Sequence, residues 1–256
     1  MILTIDVSNT NINCGVFAES GLITTFHLNS KQAYTSDEYG MMLVNLLQTN
    51  NIEKTAITGT VVASVVPGII GNIASALTRY IGTSPLIMGP GTKTGIKITA
   101  DNPREIGANR IATVVAGYEL YGGPVLVIDF GTATTYDLVT ADGCFGVGVT
   151  APGLGISAEA MWEKTARLPE VEIKKPKSIL AKETVSSIQA GLVYGQIGQT
   201  EYIINQIKKE SGYTELKVVA TGGLGRIIAD ETDTIQIFNS HLTLEGLKII
   251  YHKNKL

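Results

Sequence analysis

MILTIDVSNT at Met1–Thr10 and PVLVIDFGTATT at Pro124–Thr135 are two versions of one phrase. In each, an apolar run ends in an acid, Asp6 or Asp129. Small and hydroxyl-bearing residues follow: Ser8, Asn9 and Thr10 in the first, Gly131, Thr132, Thr134 and Thr135 in the second. Such a run reads as a buried strand. A carboxylate at its end suits a hard cation, and a tight Gly/Ser/Thr turn brings backbone N–H groups and hydroxyls to phosphate oxygens. One acid there is ordinary turn chemistry. Two, in a repeated phrase, point to two related half-domains facing one cleft.

Outward from the first copy, residues 2–6, 12–17 and 22–28 form a three-strand meander. Residues 36–49 read as a helix capped by Ser36. A β-branched strand over 60–66 and a helix over 70–81 follow, then a short strand over 85–88. A loop around Asn102-Pro103 leads into a helix through Arg110, Ile111 and Val115. The second copy repeats the order: strands over 124–129, 134–139 and 144–150, a helix over 158–164, one long helix or two over 184–211, a strand over 216–220 and a closing helix over 243–252. Meander, helix, strand and helix, twice over, mean α/β with mixed sheets.

Composition narrows the function. At 256 residues the chain accommodates one large domain or two lobes. It is 44% hydrophobic with a formal net charge of −3, which argues for a globular chain and against nucleic-acid binding. The first residues lack the basic region of a signal peptide, and no apolar run is long enough to span a bilayer. Cys14 and Cys144 form no pairing motif and read as free thiols of a reducing cytoplasm.

Three further features bear on chemistry. Thr221-Gly222-Gly223 follows an apolar strand, and paired glycines permit close backbone approach to a ligand. Gly89–Gly95 (GPGTKTG) lacks P-loop spacing and reads as a structured turn with Lys93 solvated. Arg110 falls in the first turn of its helix, where the helix dipole disfavours it. A binding role and a surface position account for it equally well. His27, His241 and His252 have no metal-ligand spacing, and Trp162 reads as core.

With these loops in view, the chain resembles the type III pantothenate kinases of the acetate and sugar kinase/heat-shock protein/actin superfamily. The resemblance is nearly full length. It runs through D-x-[G]-N-T at Asp6–Thr10, EYGM at Glu38–Met41, SVVP at Ser64–Pro67, GPG-x-KTG at Gly89–Gly95 and NPRE-x-GA-x-R at Asn102–Arg110. It continues through DFGTATT at Asp129–Thr135, APG at Ala151–Gly153, A-x-LP at Ala166–Pro169, Q-x-G at Gln189–Gly191 and ATGG at Ala220–Gly223. The resemblance implies two duplicated actin-like/ribonuclease H-like lobes with mixed five-stranded sheets flanked by helices. The lobes would be 1–117 and 118–256, the second dimerising. It implies a cytoplasmic homodimer that phosphorylates pantothenate with ATP to 4'-phosphopantothenate, the first step of coenzyme A biosynthesis. Mg2+ and a monovalent cation, K+ or NH4+, would assist.

The same resemblance assigns residues. Asp6 would organise the divalent metal and phosphate, with Ser8, Asn9, Thr10, Thr132, Gly222 and Gly223 along ATP. Asp129 would lie by the monovalent cation. Ala100, Gly107, Ala108, Asn109 and Arg110 would line the substrate, and Thr184 would enter the pantothenate pocket from the partner subunit.

The departures lie in the motifs. Ser8 stands for the family's Gly, Ala100 for Tyr, Val147 for one of a Gly pair and Glu183 for Asn. Asn109 stands for the Asp that serves the family as general base. Asn accepts no proton, and a positioned base contributes about 10²–10⁴-fold. Asp101 and Glu105 are the nearest carboxylates in sequence. Three readings follow: a pantothenate kinase impaired at Asn109, a non-catalytic or regulatory nucleotide-binding homologue, or a kinase for another small hydroxylated substrate.

Overall fold

Leu3, Ile5 and Val7 are buried on one side of the first strand, and Thr4 and Asp6 are buried on the other. A strand covered on both faces is central to its sheet, and the topology bears this out. The computed structural model describes residues 1–32 and 34–255. It divides into two compact units, Met1–Glu119 with Leu242–Leu256, and Leu120–His241.

The first unit opens with the meander β1 (Ile2–Val7), β2 (Asn11–Ala18) and β3 (Gly21–Asn29), followed by α1 (Ser36–Thr49). Then come β4 (Gly59–Ser64), α2 (Ile70–Ala76), the short β5 (Leu86–Ile87) and β6 (Lys97–Ile98), and α3 (Ala108–Tyr121). A π-helical turn at Leu77–Ile81 continues α2, so the apolar spacing read over 70–81 spans two helix types. The sheet order is β3-β2-β1-β4-β5. β1 is antiparallel to β2 and parallel to β4. Thr35, not Ser36, caps α1: its hydroxyl accepts from the Glu38 N–H while Glu38 reaches back to the Thr35 N–H, a full capping box.

The second unit repeats that topology. Its strands are β7 (Val125–Phe130), β8 (Ala133–Val139), β9 (Cys144–Pro152), β10 (Lys217–Thr221) and β11 (Ile237–Phe238). The sheet they belong to has six strands where five were expected, and these five run in the order β11-β10-β7-β8-β9, with the meander antiparallel and β10 parallel to β7. α4 (Leu154–Glu163), α5 (Thr184–Ser211) and the short α6 (Gly225–Ala229) cover it. Trp162 packs against this core, as its helix pattern implies.

The closing helix α7 (Leu242–Asn254), read from the sequence as part of the second lobe, packs on the first sheet. Its stripe Leu244, Leu247, Ile250 and Tyr251 joins Val61, Ala63, Ala112 and Val115 in one buried cluster. Gly246 permits the contact, since a Cβ there would lie 1.9 Å from the Ala112 carbonyl oxygen. The Asn254 side chain donates to Lys93 O and accepts from Lys93 N–H, which makes the GPGTKTG segment a structured turn. Among the described residues no helix is long and apolar enough to cross a membrane.

Candidate active site

Asp6 stands one residue from the end of β1, directly opposite Asn13 on β2 and beside Ala63 on β4. It is only 4% exposed. Its Oδ2 accepts from the Ser8 hydroxyl at 2.8 Å and from Asn13 Nδ2 at 3.1 Å. Its Oδ1 is buried without a hydrogen-bond partner. Burial pushes the carboxyl up from the ordinary aspartate range, and the Asn13 and Ser8 hydrogen bonds pull it partly back. A buried carboxylate oxygen that meets no donor is costly unless positive charge joins it. Mg2+ keeps several waters and takes only one or two protein carboxylates, so Asp6 fits a divalent cation. No cluster of three metal-ligating side chains is found among the described residues.

The turn after β1 carries Ser8, Asn9 and Thr10. Ser8 is half-buried through its bond to Asp6, while Asn9 and Thr10 are exposed. The Ser8 hydroxyl therefore supplies a donor to the acid.

The other first-unit candidates gather at the start of α3. Even-numbered Ile2 on β1 packs with the cluster that also holds Ala108, Ile111 and Ala112, so Asp6, of the same parity, shares the sheet face that α3 covers. Gly107 is fitted tightly: a Cβ there would lie 2.8 Å from Asn109 Oδ1 and 3.1 Å from Val65 Cγ1. Asn109 is half-buried, and its Oδ1 accepts from the Arg110 backbone N–H at 2.8 Å. It thus satisfies a first-turn donor of the helix, the kind that has no intrahelical partner. Arg110 is half-buried at the third position of α3, and Ala100 is half-buried in the segment after β6. Asp101 and Glu105 are exposed, and Glu105 Oε1 accepts from Asn102 Nδ2 at 2.6 Å.

The second unit builds its turn differently. Asp129 is half-buried and lies opposite Thr135 and beside Thr221. The open side-chain position at Gly131 is bordered by the Ala133 carbonyl oxygen at 3.5 Å and Asp129 Oδ1 at 3.6 Å. Two oxygens around an empty cradle fit an alkali or ammonium cation. Gly153 backs the turn, donating its N–H to Thr132 O at 3.2 Å; a Cβ there would lie 2.4 Å from the carbonyl oxygens of Gly131 and Thr132. Gly222 has φ +101°, and a Cβ there would meet Phe130 backbone atoms at 2.5–2.7 Å. Its closeness is to the protein's own chain. Gly223 has nothing within 4 Å of its side-chain position.

Thr184, at the start of α5, lines a cavity of about 630 Å³ together with Glu183, Lys182, Met161, Leu168 and Ile188. Thr132, Gly222 and Gly223 do not line it. Glu183 makes no capping hydrogen bond to α5. Val147 is 60% exposed on β9.

Asn13 is not singled out by the sequence, and His27 is read there only as lacking metal-ligand spacing. Asn13 Oδ1 lies 2.9 Å from His27 Nδ1, so the contact from Asp6 continues across β2 to β3. The available signal was a lone amide between the apolar Ile12 and Cys14, on the strand returning from the Asp6 turn.

Two sheets that share a strand order, each with an acid near the end of its first strand, make a duplicated mixed α/β fold. Solved structures bear out the fold. A Sinorhizobium meliloti protein described as a 2-dehydro-3-deoxygalactonokinase aligns with TM-score 0.60 at 13% identity, covering 100% of this chain and 97% of that one. Component A of the (R)-2-hydroxyglutaryl-CoA dehydratase of Acidaminococcus fermentans aligns with TM-score 0.52 at 12% identity, covering 98% and 97%. The family is narrower than the fold. The type III pantothenate kinase model matches residues 2–206. A type III pantothenate kinase of Agathobacter rectalis is 54% identical over 253 residues, 99% of this chain and 97% of the relative. The chain belongs to the type III pantothenate kinase family.

Proposed function

We propose that this protein phosphorylates pantothenate with ATP to give 4'-phosphopantothenate, the first step of coenzyme A biosynthesis. Family membership carries the reading, and the buried, one-sided Asp6 carboxylate supports it from the chain itself. Asp6 would hold Mg2+, which when bound supplies charge neutralisation on the β- and γ-phosphates. Backbone N–H groups and hydroxyls at Asn9, Thr10, Thr132 and Gly223 would orient the phosphates, while Ser8 gives its hydroxyl to Asp6 and its N–H to Asn11 O, and Gly222 would keep its turn against Phe130. Asp129 and the Ala133 carbonyl would take K+ or NH4+. Arg110 would bind the pantothenate carboxylate through its planar fork, with Ala100, Gly107 and Ala108 shaping the pocket beside it.

Thr184 would reach pantothenate from the partner subunit of a homodimer. Apolar side chains exposed on and just before α5 support such a dimer: Leu180 at 81%, Val185 at 43% and Tyr202 at 66%. The two unpaired cysteines support a reducing cytoplasm.

Asn109 favours a second reading, a nucleotide-binding homologue that transfers little or no phosphate. Its only acceptor atom is engaged by the Arg110 N–H, and an amide takes no proton. Phosphoryl transfer rests mainly on positioning and electrostatics, so loss of the base slows the first reading without excluding it. The deciding experiment follows pantothenate-dependent ADP release with Mg2+ and K+, confirms the product by mass spectrometry, and measures ATP binding by calorimetry. Product formation establishes the kinase. ATP binding with no product establishes the second reading, and absence of both removes each.

A further inference from the structure

We propose that Asn13 is a positioning residue that decides which oxygen of Asp6 is open to a cation, and that His27 decides which face of the Asn13 amide Asp6 meets. This rests on the reading of Asp6 as the holder of the divalent metal.

Asp6, Asn13 and His27 form one row across three strands: Asp6 pairs with Asn13, and Asn13 pairs with His27. Directly opposed residues share a face, so the row is set by register and not by chance rotamers. Asn13 Nδ2 donates to Asp6 Oδ2 while Asn13 Oδ1 faces His27 Nδ1. The opposite amide orientation would set oxygen against oxygen at Asp6. A proton on His27 Nδ1, present in one neutral tautomer and in the imidazolium, selects the favourable orientation by donating to Asn13 Oδ1. The Ser8 hydroxyl adds a second donor to Oδ2. Both donors thus fall on one oxygen, and Oδ1 is left buried and bare. Groups bonded to a metal-holding residue set its orientation, and their loss typically costs 10–100-fold in metal affinity. The corresponding row of the second unit holds Thr135 and Thr150 beside Asp129. Rotatable hydroxyls impose no such choice of oxygen.

The test is a titration of the full chain with Mn2+ in the presence of ADP, reading free Mn2+ by electron paramagnetic resonance, with thermal midpoints recorded alongside. Asp6→Asn checks the parent reading: if it binds Mn2+ as the wild type does, that reading falls and this proposal with it. If Asp6→Asn abolishes binding, Asn13→Ala is expected to bind Mn2+ at least about tenfold more weakly. His27→Ala, at an exposed position, is expected to show a smaller loss in the same direction. The double variant is expected to be no worse than Asn13→Ala alone, because His27 acts through Asn13. Wild-type Mn2+ affinity in Asn13→Ala, whatever its thermal midpoint, overturns the proposal while leaving Asp6 as metal holder. Should Asn13→Ala not fold, wild-type affinity in His27→Ala overturns it. Additive losses in the double variant overturn the role of His27.

Discussion

The turn after β1 and the turn after β7 carry versions of the same phrase, yet they are held by different physical means. In the first, the row across the sheet reads Ala63, Asp6, Asn13, His27, and side chains orient a buried acid. In the second it reads Thr221, Asp129, Thr135, Thr150, and the acid is half-buried. There the turn is secured through its backbone, with Gly153 and Gly222 pressed against residues 130–132. A repeated phrase therefore carries strand order and the place of the acid. It does not carry what holds the turn, because that depends on residues far away in the chain. The first turn is tuned to aim one carboxylate, and the second to hold the shape of a loop.

Breaking the second turn is expected to have the largest effect. Gly222→Val combines a left-handed φ with a Cβ inside contact distance of the Phe130 backbone, which has no flexible end to move aside. It should cost more than about 4 kcal/mol and leave the second unit unfolded by near-ultraviolet circular dichroism and urea titration. A wild-type urea midpoint would show that the turn is not secured this way. Asn109→Asp comes next. It returns a proton acceptor to α3, and a carboxylate in the first helical turn is also favoured by the dipole. Turnover should rise by about 10²–10⁴-fold, with the thermal midpoint unchanged or slightly higher. An unchanged rate would mean that another group already serves as base, or that transfer needs none. Gly153→Ala is gentler because φ is ordinary there, but its Cβ still meets two carbonyl oxygens. A loss of about 1–3 kcal/mol in urea stability is expected; no loss would place the support of the Asp129 turn on Gly222 alone.

Much of the fold was legible because its signals are local. The helices over 36–49 and 184–211 coincide with α1 and α5, since their apolar spacing and end residues are local properties. Asp6 and Asp129 were legible because each ends an apolar run. Asn13 and His27 were not, because register is set by turn geometry and pairing. Gly222 was legible as a glycine of interest but not in its use, since nothing in Thr221-Gly222-Gly223 tells that it lies on Phe130. The closing helix was misplaced for a related reason: its apolar stripe announces burial but not the sheet that receives it. Asn109 was legible in chemistry, while its bond to the Arg110 N–H depends on how the first turn of α3 folds.

The smallest expected effect lies in the first turn and tests whether its side-chain clamp is real. Ser8 donates its hydroxyl to Asp6 Oδ2 at 2.8 Å in a half-buried setting. Losing a hydrogen bond of this kind costs about 0.5–1.5 kcal/mol, somewhat more when the acceptor is charged. Ser8→Ala removes the hydroxyl alone. Ser8→Gly removes it and also frees the unfolded chain, which adds about 0.4–1 kcal/mol of loss. No positive φ is present at Ser8 for glycine to relieve. Urea titration should therefore rank the proteins wild type, then Ser8→Ala, then Ser8→Gly. The Asn13 bond remains in both variants, so Oδ2 keeps one donor and Oδ1 stays the bare oxygen. If Ser8→Gly equalled or exceeded wild type, the hydroxyl would contribute nothing to the clamp, and the first turn would rest on Asn13 alone.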